Sequence, residues 1–318
     1  MIVVLTGGTG GAKFVDGLRR VLPEDELTIV VNTGDDHLWW GLYVSPDLDS
    51  ITYMLAGILS NERGWGVRRD TFHCLQAVGD LGGPTWFRVG DRDLATHLLR
   101  TELLSEGKTL SEVTQILAER FAIRARLLPM SDQRVETRVD TPVGELSFEE
   151  YFVERWYQDP VKSVRFAGAS EAQPAPGVLE AIAAAQGVLI APSNPVTSIG
   201  PILAVPGVRD ALRQGRAPVV AVSPLIGTSA ISGPAGNLMA AQGFLVSASG
   251  VAAAYGSCLD ALIVHETDSA AAIVGADHVD VHATNILMKS AADRVRVARA
   301  ALAVACPEIL SASAAEVE

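Results

Sequence analysis

The sequence predicts an α/β protein whose core is a Rossmann-like parallel sheet, with a helical insertion and a small β-hairpin. A β-branched run at 2–5 ends in glycines and is followed by apolar residues at helical spacing, which predicts a strand, a tight loop and a helix. A second apolar run at 27–31 completes the opening of a parallel βαβ unit. Strand-like runs return at 188–191, 218–222 and 261–264, so we expect both ends of the chain to share one sheet.

A helical insertion is predicted over 50–124. This stretch shows no convincing strand pattern, whereas 94–99 and 110–121 carry apolar residues at helical spacing with charged ends. The insertion therefore separates the opening βαβ unit from the later α/β pattern. At the other end of the chain, only the tail after Leu310 is expected to fray.

The segment 125–150 is predicted to form the β-hairpin, because two runs of alternating polarity flank a Pro/Gly turn there. After it we expect the α/β pattern to return with a strand at 164–166. Ala-rich helices are expected at 179–186 and 202–214. Since no internal repeat is present, 1–318 is interpreted as a single α/β domain.

Composition and charge argue against several classes of function. The 318 residues carry a formal net charge of -12 with no Lys/Arg-rich run, which disfavours nucleic acid and anionic membranes as partners. No apolar run reaches the roughly 20 residues that span a bilayer, and the apolar start lacks the basic leader of a secretory signal. Three widely spaced cysteines give no disulfide framework, so we expect a protein of the reducing cytosol.

The first loop, between the predicted strand and helix, is rich in glycine. Glycines let backbone N–H groups approach an anion closely, and the helix N-terminus adds about half a positive charge. The candidate phosphate-binding residues are Gly7, Gly8, Thr9, Gly10, Gly11 and Lys13. The loop matches neither the Walker spacing nor a dinucleotide fingerprint, and a plain tight turn is the alternative interpretation.

An acidic region follows the second predicted strand. Asn32 and Asp36 lie where open α/β sheets bind ligands, and Asp35, Asp47 and Asp49 complete four carboxylates within fifteen positions. Carboxylates are the oxygen ligands that magnesium prefers, so a metal that neutralises a diphosphate is one interpretation. Helix capping or turn formation is the other interpretation, and it accounts for about one of the four carboxylates.

Two later strand ends carry neutral polar residues. Ser193, Asn194 and Thr197 follow the run at 188–191 in a loop that prolines make rigid, and Ser223 follows the next strand. Because the carboxyl ends of parallel strands meet at one edge of a sheet, these loops and the glycine loop predict a nucleotide pocket.

The segment 86–93 combines aromatic faces with paired charges ahead of a predicted helix. Trp86 can stack a ring, with Arg88 and Arg92 beside it, whereas a helix capped by Asp and bearing salt bridges is the alternative. Neither an H-E-x-x-H pair nor a G-x-S-x-G elbow occurs, so a zinc hydrolase or a serine triad has little support.

Together these motifs resemble the 2-phospho-L-lactate transferase family of coenzyme F-420 biosynthesis. The matching pieces span nearly the whole chain: Gly7-Gly8-Thr9-Gly10-Gly11-Ala12-Lys13, Val31-Asn32-Thr33-Gly34-Asp35-Asp36, Ser45-Pro46-Asp47-Leu48-Asp49, Gly90-Asp91-Arg92-Asp93-Leu94-Ala95-Thr96-His97, Leu128-Pro129-Met130-Ser131-Asp132 and Ala191-Pro192-Ser193-Asn194-Pro195. Each motif alone is modest, but the ordered set is specific. One departure is the stretch at 229–232, where many relatives place a basic residue on the donor side.

The resemblance implies a homodimer with a Rossmann-like core and magnesium at the acidic loop. It also implies a GDP-linked phosphorylated three-carbon acid as donor, GMP as leaving group, and the deazaflavin 7,8-didemethyl-8-hydroxy-5-deazariboflavin (Fo) as acceptor. Asp47 and Asp49 match the family's acidic motif, with Asp49 either a metal ligand or the catalytic base. The helical insertion would form the acceptor side, with Trp86, Arg88, Arg92 and His97 as candidate substrate residues.

Three matters stay open at this point. The acid of the donor could be phosphoenolpyruvate, 2-phospholactate or phosphoglycerate. An NAD(P)-binding oxidoreductase is a second interpretation, although it leaves the acidic region without a task. A non-catalytic nucleotide-binding regulator is a third, although such proteins are not expected to carry the segment 90–97.

Overall fold

A computed structural model describes residues 1–268 and 278–310. The strands are β1 (Ile2–Thr6), β2 (Leu27–Val31), β3 (His37–Trp39), β4 (Leu42–Val44), β5 (Arg126–Pro129), β6 (Glu136–Thr141), β7 (Gly144–Ser147), β8 (Ser163–Ala167), β9 (Gly187–Ile190), β10 (Val219–Val222), β11 (Leu225–Ile226), β12 (Ser229–Ala230), β13 (Ala261–His265) and β14 (Asp280–Thr284). The helices are α1 (Gly8–Leu18), α2 (Pro46–Leu55), α3 (His73–Asp80), α4 (Asp91–Ser105), α5 (Leu110–Arg120), α6 (Val178–Ala184), α7 (Ile199–Ala204), α8 (Val208–Gln214), α9 (Ala235–Ala241), α10 (Ala248–Tyr255) and α11 (Ala291–Ala305). A single π-helical turn spans Glu150–Glu154.

A seven-stranded parallel sheet forms the centre of the described chain, in the order β14-β13-β10-β9-β1-β2-β5. The first strand lies in the interior, with β2 on one side and β9 on the other, each in parallel register. The chain therefore builds the sheet outward in two opposite directions from β1. In open α/β sheets a ligand crevice lies at the carboxyl edge where the strand order reverses, here between β1 and β9.

Both faces of the sheet are buried, as expected for a parallel sheet covered by helices. All five residues of β1 are buried, and they alternate between two hydrophobic clusters. Val3 and Leu5 contribute to the cluster that includes α6, α7 and α10, whereas Ile2 and Val4 contribute to the cluster that includes α1 and α11. The end of β1, which carries the glycine loop, is thus fixed by packing on both sides.

Helix α1 is anchored to α11 by backbone contact and by charge. A Cβ on Gly17 would overlap the carbonyl oxygen of Arg294, so only glycine allows the two helices to approach this closely. Asp16 accepts hydrogen bonds from Arg19 Nε at 3.0 Å, Arg20 Nε at 3.1 Å and Arg294 Nη1 at 2.8 Å. Burial alone would raise the pKa of Asp16, but these arginines lower it.

The β-hairpin is confirmed as β6 and β7, which pair antiparallel around a two-residue turn. The expectation that 164–166 continues the main sheet is wrong, because β8 pairs antiparallel with β6 in a separate three-stranded sheet. Its residues alternate between buried and exposed, with Val164 buried and Arg165 exposed. That one-sided pattern is typical of an antiparallel strand.

Two other predicted elements differ from the structure. The helix expected at 202–214 is two helices, α7 and α8, because Pro206 and the left-handed Gly207 (φ +89°) separate them. The segment 126–129 was included in the hairpin region, but it forms β5, the edge strand that pairs with β2.

The glycine loop also differs, since α1 begins at Gly8 and most of the loop is the first turn of the helix. The predicted fraying after Leu310 lies outside the described residues. The helices α3, α4 and α5 occupy the predicted insertion between β4 and β5. Across the part of the chain that the structure describes, no helix is both long and apolar enough to cross a membrane.

Candidate active site

The glycine loop lies at the carboxyl end of β1, and its glycines serve different purposes. Gly8 adopts a left-handed conformation (φ +66°), and its N–H donates to Asp47 Oδ1 at 2.6 Å. A Cβ on Gly8 would meet nothing closer than 3.8 Å, so this position faces open space. A Cβ on Gly10 would press on the carbonyl oxygen of Pro192, and one on Gly11 would overlap Thr6 Oγ1. Gly10 and Gly11 thus allow close packing of the chain on itself.

The loop after β9 is tied directly to the glycine loop. Ser193 Oγ donates to the carbonyl oxygen of Gly7 at 2.6 Å, and Asn194 Oδ1 accepts from the N–H of Val196 at 3.0 Å to close a turn. Thr197 Oγ1 is buried and has no hydrogen-bond partner among the described residues. The glycine loop and the loop after β9 therefore form one polar wall of the crevice. In that wall the hydroxyl of Thr197 is free to bind a ligand.

Asn32 connects the acidic residues, although its own side chain lies outside the cavity. Its Nδ2 donates to Asp35 Oδ2 at 3.0 Å, to Asp47 Oδ2 at 2.9 Å and to the carbonyl oxygen of Thr197 at 3.2 Å. Asp35 Oδ1 is buried with no partner in the described part of the chain. Asn32 is thus a positioning residue that brings two carboxylates together at the polar wall.

Burial sets the protonation of these carboxylates. It raises the pKa of Asp47 to about 6, although hydrogen bonds from Asn32 and Gly8 oppose the shift. Burial, together with repulsion from Asp47 and Glu149, raises the pKa of Asp35 well above its ordinary value. No cation pairs with Asp35 or Asp47 within residues 1–268 and 278–310, so the site can accept a positive charge.

Glu149 was missed by the sequence analysis. It is 6% exposed, lines the cavity, and makes no side-chain hydrogen bond to the residues that the structure describes. Burial, followed by repulsion from Asp47 and Asp36, raises its pKa to about 8. Only the tertiary fold brings the end of the hairpin, where Glu149 lies, to the acidic region, so no local signal marks this residue.

Asp49 has a different environment from Asp47, although both lie in the first turn of α2. Arg100 Nη1 donates to Asp49 Oδ2 at 3.1 Å, and Arg100 Nη2 makes a short bond to Asp49 Oδ1. Burial disfavours the charge of Arg100, but the Asp49 carboxylate outweighs it and raises the pKa of Arg100. The two aspartates therefore lie in a buried helix start, and a guanidinium engages the carboxylate of Asp49.

His97 lies in the same buried group. Its Nδ1 is 3.6 Å from Asp49 Oδ2 and its Nε2 is 3.4 Å from Asp93 Oδ1. Burial lowers the pKa of His97 to about 4 despite the nearby Asp49, so the ring is neutral at neutral pH. Asp93 also accepts from the hydroxyl of Tyr53 at 2.8 Å, and burial raises the pKa of Asp93 to about 7. His97 reaches the cavity as part of this hydrogen-bonded group.

Two groups of aromatic rings line the cavity. Trp86 lies edge-on to Trp39, with ring centroids 4.7 Å apart, and to Phe87 at 5.9 Å. We call Trp86 and Phe87 the first aromatic wall. Phe148, Phe152 and Tyr157 form the second aromatic wall, in which neighbouring rings stack at 5.4 and 5.6 Å. The motif at 86–93 predicts the first wall, whereas no sequence motif predicts the second.

Most of the predicted site residues line one cavity of about 950 Å³. Those that line it are Gly7, Gly8, Thr9, Gly10, Lys13, Asp47, Asp49, Trp86, Arg88, His97, Ser193, Asn194 and Thr197. Those that do not line it are Gly11, Asn32, Asp36, Arg92 and Ser223.

Local contacts explain three of these exclusions. Asp36 accepts from Ser45 Oγ at 2.8 Å, and Ser223 Oγ accepts from the N–H of Leu225 at 3.1 Å, so both stabilise turns. Asp36 and Ser223 were predicted from positions after strands, and a strand end predicts proximity to the crevice but not the direction of a side chain. Arg92 was predicted from the segment 86–93, and its position on α4 leaves it exposed.

A model of the family described as 2-phospho-L-lactate transferase CofD matches residues 2–303. The chain belongs to this family. Membership confirms the resemblance seen in the sequence motifs, and with it a transferase role in coenzyme F-420 biosynthesis. The oxidoreductase and the regulator are not supported by these matches.

Full-length relatives share this family. A protein of Streptomyces coelicolor named phosphoenolpyruvate transferase is 44% identical over 311 residues, covering 96% of this chain and 98% of that protein. A protein of Methanosarcina mazei named 2-phospho-L-lactate transferase is 42% identical over 269 residues, covering 85% of this chain and 88% of that protein.

A solved structure supports the fold. A UPF0052 family member from Bacillus halodurans matches with a TM-score of 0.65 at 18% identity, over 95% of this chain and 98% of that one. At that identity the likeness shows the fold alone. With the seven-stranded parallel sheet, it confirms the predicted Rossmann-like α/β class.

Proposed function

We propose that the protein transfers a phosphorylated three-carbon acid from its GDP-linked donor to Fo and releases GMP. One observation carries this proposal: a single cavity of about 950 Å³ joins the glycine loop, the buried carboxylates and the aromatic walls. A diphosphate, its metal ion and a tricyclic acceptor need these three kinds of surface. Their presence in one cavity supports direct transfer between two bound substrates.

The donor diphosphate is proposed to lie at the glycine loop. Backbone N–H groups at the start of α1 and the positive end of its helix dipole favour phosphate oxygens. Lys13 on α1 lines the same cavity and forms no ion pair in the described ranges, so its charge is available to the diphosphate. Ser193 is occupied by Gly7, whereas the free hydroxyl of Thr197 can donate to the nucleotide.

Magnesium is proposed at Asp35 and Asp47, and the residues present fit it. Asp35 Oδ1 is buried without a partner among the described residues, and the nearest donors to Asp47 are neutral amides. The described part of the chain contains no metal-binding group of three or more His, Cys, Asp or Glu side chains. Magnesium usually needs only one or two carboxylates, because waters and substrate phosphates complete its shell. When bound, it would neutralise charge on the diphosphate.

The transfer needs no covalent enzyme intermediate. A ribityl hydroxyl of Fo attacks the β-phosphorus, the bond from that phosphorus to the oxygen shared with GMP breaks, and the hydroxyl proton leaves. We assign the carboxylate form of Glu149 as the acceptor of that proton, because it lines the cavity. Burial raises the pKa of Glu149 to about 8, so this form is a strong base that is present chiefly as pH rises towards and above 8. Asp49, which the resemblance implied to be either a metal ligand or the catalytic base, is held by Arg100. Because Arg100 Nη1 also lies 3.3 Å from His97 Nδ1, Asp49 is assigned instead to positioning His97 through Arg100.

Phosphoenolpyruvate is the favoured acid of the donor, with 2-phospholactate as the alternative. The relative from Streptomyces coelicolor named for phosphoenolpyruvate aligns with this chain over 98% of its length. The relative from Methanosarcina mazei named for 2-phospholactate aligns over 88% of its length, at similar identity. The more complete match supports phosphoenolpyruvate.

A cytosolic homodimer is also proposed. Leu81 is 89% exposed and Leu98 is 52% exposed, both in the helical insertion. Exposed apolar side chains mark a protein contact where they form one contiguous patch, so the proposal predicts that a partner covers both leucines. Sedimentation at several protein concentrations tests the dimer.

Binding measurements test the proposed substrates. The protein is titrated into Fo while deazaflavin fluorescence is followed, with GDP and magnesium present or absent. We expect saturable Fo binding that GDP does not displace, and GDP binding that magnesium strengthens. A folded protein that binds neither Fo nor GDP would contradict the proposal.

A further inference from the structure

Arg63 is a cavity residue to which the sequence analysis gave no role. It lines the cavity together with the glycine loop and Trp65. Within residues 1–268 and 278–310 it forms no ion pair, even though the same cavity contains Asp35, Asp47 and Glu149. An arginine that remains unpaired in a cavity rich in carboxylates is available to an anionic ligand.

A tight loop fixes the position of Arg63. The loop closes through the bridge between Leu59 and Val67 and through a 3.0 Å hydrogen bond from Ser60 N to the carbonyl oxygen of Gly66. Gly64 (φ +76°) and Gly66 (φ +66°) are both left-handed, a conformation that glycine adopts without strain. The hydrogen bond from Ser60 and the two left-handed glycines therefore fix the backbone before and after Arg63.

This loop rests on the glycine loop. A Cβ on Gly64 would lie 3.4 Å from Thr9 Cγ2, so the backbone beside Arg63 is in near contact with the phosphate-binding turn. Gly66 lies on the other side, because its Cβ would be 3.6 Å from Asp93 Oδ2. Arg63 thus lies in a loop of the helical insertion that packs between the start of α1 and α4.

The guanidinium is held in one orientation. It lies 5.2 Å from the ring centroid of Trp65 and 5.2 Å from that of Phe72, and its Nη2 donates to the carbonyl oxygen of Val67 at 2.8 Å. Nε is buried, and neither Nε nor Nη1 donates to any residue that the structure describes. The two rings and one hydrogen bond therefore orient the guanidinium, which still has N–H donors that no described residue uses.

We propose that Arg63 binds the β-phosphoryl group of the nucleoside diphosphate donor, on the acceptor side of the glycine loop, and stabilises its charge during transfer. This inference rests on the proposed function. The β-phosphoryl group forms a bond to the acceptor hydroxyl oxygen and loses its bond to the oxygen that leaves with GMP, and the hydroxyl proton passes to Glu149. A guanidinium beside the transferred group is well suited to the charge of such a transition state.

The position of Arg63 selects the β-phosphoryl over the α-phosphoryl group. The acceptor approaches from the helical insertion, where Trp65 and Trp86 line the cavity, and the loop of Arg63 belongs to that side. The β-phosphoryl group is the one that the acceptor attacks. GMP lacks it, so a comparison of GDP with GMP isolates the contact.

Calorimetric titration of GDP and GMP, in magnesium, into the wild type and Arg63→Ala tests the inference. Because the substitution removes hydrogen bonds between a guanidinium and a charged phosphoryl group, we expect GDP affinity to fall about tenfold or more. GMP affinity should change by less than about twofold. Arg63→Lys keeps the positive charge but not the planar guanidinium, so it should lose GDP affinity by an intermediate amount.

Arg68→Ala is the matched control, because Arg68 is an exposed arginine at the end of the same loop and does not line the cavity. It should bind both nucleotides like the wild type. Unchanged GDP affinity in folded Arg63→Ala, or equal losses of GDP and GMP, would overturn the role of Arg63. If Arg63→Ala does not fold, a wild-type GDP affinity in Arg63→Lys would overturn it. A wild type that binds GMP but not GDP would instead show that the proposed donor, and the inference with it, is wrong.

Discussion

At the scale of single residues, the chemical type of the site residues was predictable from the sequence, whereas the residues that they contact were not. Asp47 and Asp49 are two positions apart on α2, and residues at this spacing face different directions. Asp49 meets the buried Arg100, whereas Asp47 meets only amide donors from Gly8 and Asn32. The sequence marks both as acidic near a predicted crevice, but Arg100 is 51 positions from Asp49 and enters only through the tertiary fold.

The two aspartates should respond differently to amidation. Asp49→Asn leaves the charge of Arg100 buried without a counter-charge, so unfolding free energy should fall by about 3–5 kcal/mol. Asp47→Asn keeps an acceptor for Gly8 N–H and removes a carboxylate whose pKa is raised to about 6, but its amide nitrogen then faces the Asn32 donor, so stability should fall much less than in Asp49→Asn. Asp47→Asn should nevertheless lose most activity.

Urea unfolding and turnover, measured on both variants at one magnesium concentration, check this contrast. Arg100→Lys serves as a control for Asp49→Asn, since it retains a positive charge but not the two-point contact. Equal stability of the two aspartate variants would show that the Arg100 contact does not contribute as proposed.

Glu149 should make stability depend on pH. Its pKa is about 8 in the folded protein and 4.5 ordinarily, so the folded state holds the proton more tightly. The stability that this proton contributes is complete below about pH 4.5 and is lost as pH rises towards about 8. Glu149→Gln should therefore stabilise the protein at pH 8.5, by a few kcal/mol at most, and leave it nearly unchanged at pH 5.

Melting temperatures of Glu149→Gln and the wild type at both pH values, without added metal, measure this difference. Glu154→Gln, at an exposed glutamate that ends the π-helical turn following Glu149, is the control. A constant difference between Glu149→Gln and the wild type at all pH values would contradict the raised pKa. Unchanged turnover in Glu149→Gln would show that Glu149 is not the proton acceptor.

At the scale of elements, buried strands were predictable because apolar runs bounded by turn residues leave few alternatives. The strands β1, β2, β9, β10 and β13 follow from such runs. The misplacement of β8 shows the limit, since four or five residues of alternating polarity do not identify the sheet that they join. The split between α7 and α8 was marked in the sequence by Pro206 and Gly207.

Substitutions at two positions of the glycine loop should have different effects, one mainly on GDP affinity and the other mainly on folding stability. Gly8→Ala places a Cβ at a left-handed position that faces the cavity, which costs about 1 kcal/mol of strain and hinders the diphosphate. Gly10→Ala presses on the carbonyl oxygen of Pro192, so it should mainly destabilise the junction of β1 and β9.

Calorimetry with GDP and thermal melts, run on both variants, distinguish these effects. Gly8→Ala should lose more GDP affinity than stability, and Gly10→Ala the reverse. Gly57→Ala, left-handed but with open space around its Cβ, controls for backbone strain alone. If Gly8→Ala bound GDP like the wild type, the open face of the loop would not be a phosphate site.

At the scale of the whole molecule, the sheet order brings distant segments to one cavity. The sharing of one sheet by both ends of the chain was predictable from the strand patterns, whereas the reversal of strand order between β1 and β9 and the position of the hairpin were not. Phe148, Glu149 and Phe152 follow β7 in sequence and reach the cavity because β6, β7 and β8 form a separate sheet beside it. The second aromatic wall and the proposed base therefore depend on packing that no local pattern records.

The acceptor is expected on the first aromatic wall. Trp86→Ala with Arg88→Ala should weaken Fo binding, by about 1–3 kcal/mol for the lost ring contact, and should spare GDP. Arg88 lies 5.1 Å from the ring of Phe72 and lines the cavity without a carboxylate partner among the described residues. Fluorescence titration of Fo beside a GDP titration measures both affinities.

Phe152→Ala removes a ring of the second aromatic wall and is the matched comparison. It should leave Fo affinity close to that of the wild type. A loss of Fo binding in Phe152→Ala, with none in the double variant, would move the acceptor to the second wall. Equal loss of Fo and GDP in the double variant would indicate unfolding and not a lost contact.

The most direct test of the proposed transferase is mass spectrometry of its product. Fo and magnesium are incubated with the protein and, separately, with the guanosine diphosphate esters of enolpyruvate, L-lactate and glycerate. We expect Fo to gain one phosphate diester carrying the enolpyruvyl group, with one GMP released for each product formed. Unchanged Fo with all three donors, or GMP released without a modified deazaflavin, would contradict transfer between two substrates bound in one cavity.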